Sequence, residues 1–126
     1  MSGYFIIREK LPSLNDVINK NRANKYLGAK FKAEIEQTIS QYILEAKIKR
    51  VLKPIDEPVV LYINWHEKTK RRDADNIQSS QKFILDALQK CGIIPNDSRK
   101  YVKQVYHKII DATKDYVTVE IEPYEA

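Results

Sequence analysis

Asp73 and Asp75 stand two residues apart, directly behind a run of cations, Lys68, Lys70, Arg71 and Arg72. In extended backbone, residues i and i+2 point to the same face, so the spacing predicts two carboxylates projecting side by side. Like charges held that close repel, and a bound cation or a strong positive neighbour relieves the repulsion. Carboxylate oxygens are ordinary ligands of Mg²⁺, which commonly pairs them with phosphate oxygens of a substrate. Arginine suits phosphate because its planar fork can donate two parallel hydrogen bonds. The pattern therefore points to a metal-dependent site for a phosphate-rich substrate. A plainer reading stays open beside it. Asp75 with Gln78 is a capping-box-like start of a helix, Asp73 is then a turn carboxylate, and the cations form a solvated loop.

The elements that must hold these residues follow from the hydrophobic pattern. Tyr4-Phe5-Ile6-Ile7 predicts a first strand, ended by Pro12 in Leu11-Pro12-Ser13-Leu14-Asn15. From Lys20 to Lys32 the chain carries Lys20, Arg22, Lys25, Lys30 and Lys32 with no acidic residue, and Tyr26 and Phe31 sit among them. Such a segment suits phosphate contact and base stacking, or else is a solvated loop whose aromatics pack inward. Phe31, Ile35, Ile39, Tyr42, Ile43 and Ala46 recur at helical spacing, which predicts a helix from about residue 30 to about residue 50. Val59–Trp65 is a near-continuous apolar run and predicts a central strand leading straight into the basic run and Asp73. Ile77, Phe83, Ile84, Ala87, Leu88 and Cys91 predict a second helix over about 77–91, capped by Gly92. Pro95-Asn96-Asp97 reads as a turn. Tyr101–Ile110 and Tyr116–Ile121 read as two strands paired in a hairpin. The expected fold is α+β, one domain over residues 1–126, in the order β-α-β-α-β-β with a mixed sheet and two helices.

Composition narrows the classes. The chain has 126 residues, 43% hydrophobic and 31% charged, with three glycines and five prolines, which describes a globular domain and argues against disorder. Its net charge of +5 favours a polyanionic partner. A single cysteine, Cys91, leaves no intrachain disulfide and no cysteine-based zinc site; it suits a reducing cytoplasm and reads as a buried structural thiol. His66 and His107 are too isolated to suggest zinc. No serine sits in a nucleophile elbow, and the glycines form no phosphate-binding loop. No apolar run is long enough to span a membrane, and the N-terminus has no signal-peptide pattern.

Asp73-Ala74-Asp75-Asn76, then Lys82-Phe83-Ile84-Leu85-Asp86-Ala87-Leu88, Gly92 and Asn96-Asp97 occur in an order that resembles the RusA family of Holliday-junction resolvases. Leu11-Pro12-Ser13-Leu14-Asn15 is similar to that family's N-terminal proline-asparagine signature, so the resemblance covers most of the chain. It implies a small homodimeric, Mg²⁺-dependent endonuclease, often carried by phages and prophages, that cuts four-way DNA junctions with paired symmetric nicks in recombination and repair. It assigns Asp73, Asp75 and Asp97 as catalytic, metal-holding aspartates, and Lys82 as the catalytic lysine. In one common pattern that lysine follows the second aspartate by four residues, where this chain has Ser79. Lys82 lies three residues further on, which along one continuous helix is about 4.5 Å and about 300° of rotation. Asn96 stands where many relatives have another aspartate. Lys20, Arg22, Lys25, Lys30, Lys70, Arg71 and Arg72 are the expected contacts to the arms of branched DNA. Two other readings use the same residues: a non-catalytic phage DNA-binding module, and a nuclease for other branched DNA.

A geometric expectation goes with these assignments. A helix over 77–91 is roughly 22 Å long, and the five or six residues that follow reach about 20 Å when fully extended. Closure of Asp97 onto Asp75 within one chain is then barely possible. The expected arrangement places Asp97 at the aspartates of a second subunit, with the metal site shared across a homodimer.

Overall fold

The computed structural model describes residues 3–125. Its elements run β1 (Gly3–Ile7), α1 (Leu14–Ala23), α2 (Lys25–Ile48), β2 (Val59–Glu67), α3 (Ala74–Gln78), α4 (Gln81–Lys90), β3 (Val102–Asp111) and β4 (Tyr116–Pro123). The fold is α+β as expected, with one mixed four-stranded sheet in the order β1-β4-β2-β3. Strand β2 pairs in parallel with β3 and antiparallel with β4, and β1 pairs antiparallel with β4.

The expected hairpin between the last two strands does not form: β4 lies on the far side of β2 from β3. Burial explains the choice. Strand β4 alternates buried Val117, Val119 and Ile121, which need covered neighbours on both sides, whereas β3 buries only Val102 and tolerates an edge. The chain crosses over the end of β2 between them. Two hydrogen bonds hold that crossing, from Ala112 N–H to the Glu67 carbonyl at 2.9 Å and from Lys68 N–H to Asp115 Oδ1 at 2.8 Å.

The inner face of the sheet carries Phe5, Ile7, Leu61, Ile63, Trp65, Val119 and Ile121, all buried against the helices. Helix α2 answers with Ile35, Ile39, Ile43 and Ala46, one stripe at helical spacing, and α4 with Phe83, Ile84, Ala87 and Leu88. Among the described residues nothing forms a covering layer on the outer face, which displays Tyr4, Ile6, Tyr62 and Tyr106, with the last two rings stacked at 5.0 Å.

The helices depart from the two expected. The basic stretch 20–32 is helical: it forms the last turn of α1 and the opening turns of α2, divided by Asn24 alone. Asn24 has extended backbone and accepts a hydrogen bond on its side chain from Tyr26 N–H at 2.8 Å, so it caps α2 and starts that helix at Lys25, ahead of the expected start near residue 30. Gly28 lets the two helices touch, since a Cβ there would lie 2.9 Å from the Asn21 Cα. The segment expected as one helix over 77–91 is two. Ser79 donates its hydroxyl to the Asn76 carbonyl at 2.6 Å, which competes with the helical ladder at the break, and Ser80 donates to the Pro12 carbonyl at 2.6 Å, which ties the break to the segment before α1. Gly92 caps α4 as expected. At φ +72° it donates to the Gln89 carbonyl while Ile93 donates to that of Leu88, a Schellman closure. Cys91 is half-buried, not fully buried. Among the described residues no helix is long and apolar enough to cross a membrane.

Candidate functional site

Strand β2 delivers the chain to the candidate site through Glu67, a carboxylate buried at its last position. Arg72 folds back on it. The guanidinium donates from Nε and Nη2 to Glu67 at 3.0–3.2 Å and from Nη1 to the Leu11 carbonyl at 2.9 Å. The two side chains are 16% and 5% exposed, so the pair is largely withdrawn from water. The loop between β2 and α3 is thus pinned immediately before Asp73.

Asp73 then takes the N-cap position of α3, with extended backbone at φ −69° and ψ 156°, and Asp75 lies in the first turn. This corrects two expectations. The carboxylates are not a strand pair facing one way, and the capping position belongs to Asp73, not Asp75. Asp73 makes no side-chain capping bond. Both carboxylates are exposed. Their placement at a helix start orients negative charge toward the positive end of the backbone dipoles.

The segment Leu11–Asn15 is strapped across this loop and helix. Besides Arg72 to Leu11 and Ser80 to Pro12, Leu14 N–H donates to Ser79 Oγ at 3.0 Å, and Asn15 Nδ2 donates to Asn76 Oδ1 at 2.8 Å. Two stretches some 60 residues apart in sequence form one hydrogen-bonded unit, and the two aspartates sit on its exposed side. Ser13 anchors the strap by opening α1 with a capping box to Asp16.

The other expected site residues lie further off. The break at Ser79–Ser80 puts Lys82 on α4, a different helix from Asp75, so the extrapolation along one continuous helix does not hold. Its Nζ faces Asp86 at 3.8 Å and is exposed. Asp97 is exposed in the turn before β3, where Asn96 Oδ1 accepts from Ser98 N–H at 2.9 Å. Because β2 and β3 are parallel, Asp73 follows the far end of that strand pair and Asp97 precedes its near end. Among the described residues, no three His, Cys, Asp or Glu side chains gather as a metal site within the chain.

Of the expected DNA contacts, Lys20, Arg22, Lys25 and Lys30 are exposed around the α1–α2 corner. Lys20 lies over the Phe31 ring at 5.7 Å, and Tyr26 at the corner is 72% exposed, so the two aromatics of this stretch divide between packing and display. Lys70 is exposed, with Asp111 at 3.7 Å, and Arg71 is exposed. Arg72 is the exception: its guanidinium is taken up by Glu67 and Leu11 and is not presented to a ligand.

Sequence reasoning set His107 aside as too isolated for zinc and assigned it no partner. Its Nδ1 accepts from Trp65 Nε1–H at 2.9 Å. Indole can only donate, so the proton resides on Nε2, which donates to Gln81 Oε1 at 2.7 Å. Burial holds its pKa below the ordinary histidine value. The relay ties β2, β3 and the start of α4 together. Only the co-occurrence of Trp, His and Gln hinted at it, and their spacing carries no periodic signal.

No family model and no curated protein matches the chain.

Proposed function

We propose that this protein is a Mg²⁺-dependent endonuclease of branched DNA, related to the RusA resolvases, that nicks four-way junctions in symmetric pairs. The observation that carries the reading is the strapped unit. Four hydrogen bonds fix a loop and helix whose two exposed aspartates point away from every internal partner, beside the exposed cations Lys70 and Arg71. A backbone fixed this firmly beneath two exposed carboxylates suits a site.

The donor set fits Mg²⁺, which binds through one or two carboxylates and keeps several waters. Asp73 and Asp75 of one subunit, with Asp97 of a second, would hold it. Held there, Mg²⁺ would supply activation of a water and stabilisation of charge on the scissile phosphate. Arg71 and Lys70 steer the phosphodiester to the aspartates, and the cations of the α1–α2 corner hold the arms. Backbone contacts of this kind give affinity and register without reading sequence. Junction preference then rests on shape and deformability. Lys82 of α4, freed from Asp86, supplies a positive charge that offsets developing negative charge.

A second reading is favoured by one observation, the lack of a three-acid cluster among the described residues of a single chain. On it, the protein binds branched DNA through its cations and performs no chemistry. A labelled synthetic four-way junction, incubated with Mg²⁺ or EDTA, separates the two. Paired nicks that need Mg²⁺ and disappear in Asp75→Asn are expected. Tight binding without cutting, unchanged by the substitution, establishes the binder.

A further inference from the structure

The basic stretch 20–32 carries two aromatic rings, and the fold uses one of them. Phe31 is half-buried against the core, with the Lys20 ammonium over its ring at 5.7 Å. Tyr26 is 72% exposed, more than any other aromatic side chain among the described residues. Leu27 beside it is 45% exposed, so the pair makes an apolar point on a charged corner. A ring left in water contributes almost no burial free energy to the fold.

The backbone beneath that ring is fixed. Tyr26 N–H donates to Asn24 Oδ1 at 2.8 Å, and Gly28 N–H donates to the Asn24 carbonyl at 3.1 Å. Gly28 seats this turn against Asn21 of α1, where a Cβ would find no room. A tyrosine has two side-chain torsions, so one carried on a fixed turn loses little freedom when it binds.

Charge identifies what the ring meets. No acidic residue occurs between Asp16 and Glu34. Among the described residues, Lys20, Arg22, Lys25 and Lys30 pair with no carboxylate. Uncompensated cations draw a polyanion, and an aromatic displayed among them can stack on its bases while they hold its phosphates.

We infer that Tyr26 stacks on the open face of a base at the branch of a DNA junction, and that this contact separates branched DNA from plain duplex. Inside a continuous duplex every base is covered on both faces by its neighbours, so the ring has nothing to stack on. Where arms diverge, the pairs flanking the crossover lose a neighbour and a face opens. The cations hold the backbone of either DNA, and the ring adds affinity to the branched one alone. This deepens the proposed function and rests on its DNA-binding half, not on cleavage.

Fluorescence anisotropy of the whole protein in EDTA, which prevents metal-dependent cutting, compares a labelled four-way junction with a linear duplex built from the same arms. Tyr26→Ala is expected to weaken junction binding at least about fivefold, the lower end of what one stacked base contributes, and to leave duplex binding within about twofold. Tyr26→Trp is expected to keep the junction affinity. Its indole also reports directly, because the native Trp65 is 1% exposed and shielded from a ligand. The junction is expected to quench the new fluorescence, and the duplex is not. Lys30→Ala is expected to weaken both DNAs alike and to lower the salt dependence of binding by about one charge. Both positions are exposed, and unchanged circular-dichroism melts confirm that the variants fold. A Tyr26→Ala protein that binds both DNAs as the wild type does, or loses both equally, overturns the inference. So does a wild type that binds neither. Paired nicks with a junction affinity indifferent to Tyr26 sink the inference and leave the nuclease reading. Junction binding that depends on Tyr26, with no nicks in Mg²⁺, does the reverse.

Discussion

Replacing Arg72 with methionine is expected to destabilise the fold by about 3–5 kcal/mol, the cost of stranding one member of a buried ion pair. The side chain supplies three contacts within hydrogen-bond range to Glu67 and one to the Leu11 carbonyl. Methionine keeps the aliphatic stem but leaves the Glu67 carboxylate, 5% exposed, without its cation. Loss of the Leu11 bond adds about 0.5–1.5 kcal/mol of its own. Replacing both partners, as Glu67→Leu with Arg72→Met, removes the stranded charge, so the double variant is expected within about 2 kcal/mol of wild type. The signature is thus strong non-additivity: the double variant is expected to be more stable than Arg72→Met alone. Urea unfolding followed by circular dichroism reads it, with the Arg72→Met midpoint lower by about 1–3 M for a slope typical of a small domain. An Arg72→Met variant within about 0.5 kcal/mol of wild type, or a double variant equal to the sum of the singles, would refute the claim that this pair pins the loop.

Arg50 closes α2 at φ +61°, where its Cβ is strained and its N–H bonds the Lys47 carbonyl; Arg50→Gly is expected to stabilise by about 1 kcal/mol in the same urea assay. Gly28→Ala forces α1 and α2 apart around Asn21 and is expected to cost about 1–3 kcal/mol, read as a lower melting temperature. Stability is expected to fall on acidification below the ordinary histidine value of 6.5, because burial depresses the pKa of His107 and the unfolded chain then binds more protons than the folded one. That contribution is fully present above 6.5 and is lost as pH falls through the lower folded value. Burial depresses His66 in the same direction, so His107→Gln is expected to flatten only part of the slope. A slope unchanged in His107→Gln contradicts the assignment.

Much of the fold was legible because it follows from periodicity. The central position of β2 was readable in Val59–Trp65, the stripe of α2 in Ile35, Ile39 and Ile43, and the α4 cap in Gly92. What periodicity does not encode is which strands pair. Strands β3 and β4 lie a short turn apart and resemble a hairpin, yet the decision turned on how many neighbours each could bury against, a property of the whole sheet. Helix starts were missed for a local reason. Ser13 and Asn24 cap helices that begin ahead of any sustained buried stripe, α1 burying only Val17, and a reading keyed to apolar periodicity begins only where the stripe does. At the site, the types of Asp73 and Asp75 were legible but their geometry was not. The strand feeding them ends at Glu67, and the turn of backbone at Asp73 depends on Arg72 reaching a carbonyl at Leu11. Arg72 itself was misread for the same reason, since its buried partner is visible only in three dimensions.

The positive charge near the aspartates therefore divides by depth. Arg72 looks like its neighbours in sequence, but its guanidinium faces inward and sets the backbone that carries Asp73. Lys70 and Arg71 precede it and remain in water, where a long-range field acts on a polyanion and a single contact contributes little. The α1–α2 corner adds Lys20, Arg22, Lys25 and Lys30 without help from any acidic residue between them. The strap then has a consequence for how these charges act together. Leu11–Asn15 opens α1 at one end and grips Arg72, Asn76, Ser79 and Ser80 along its length. The corner cations and the aspartates are thereby built on one hydrogen-bonded frame rather than on separate loops. On the proposed nuclease reading, a DNA arm held by the corner would lie at a fixed distance from the carboxylates, which is what cutting a phosphodiester at a position set by shape requires.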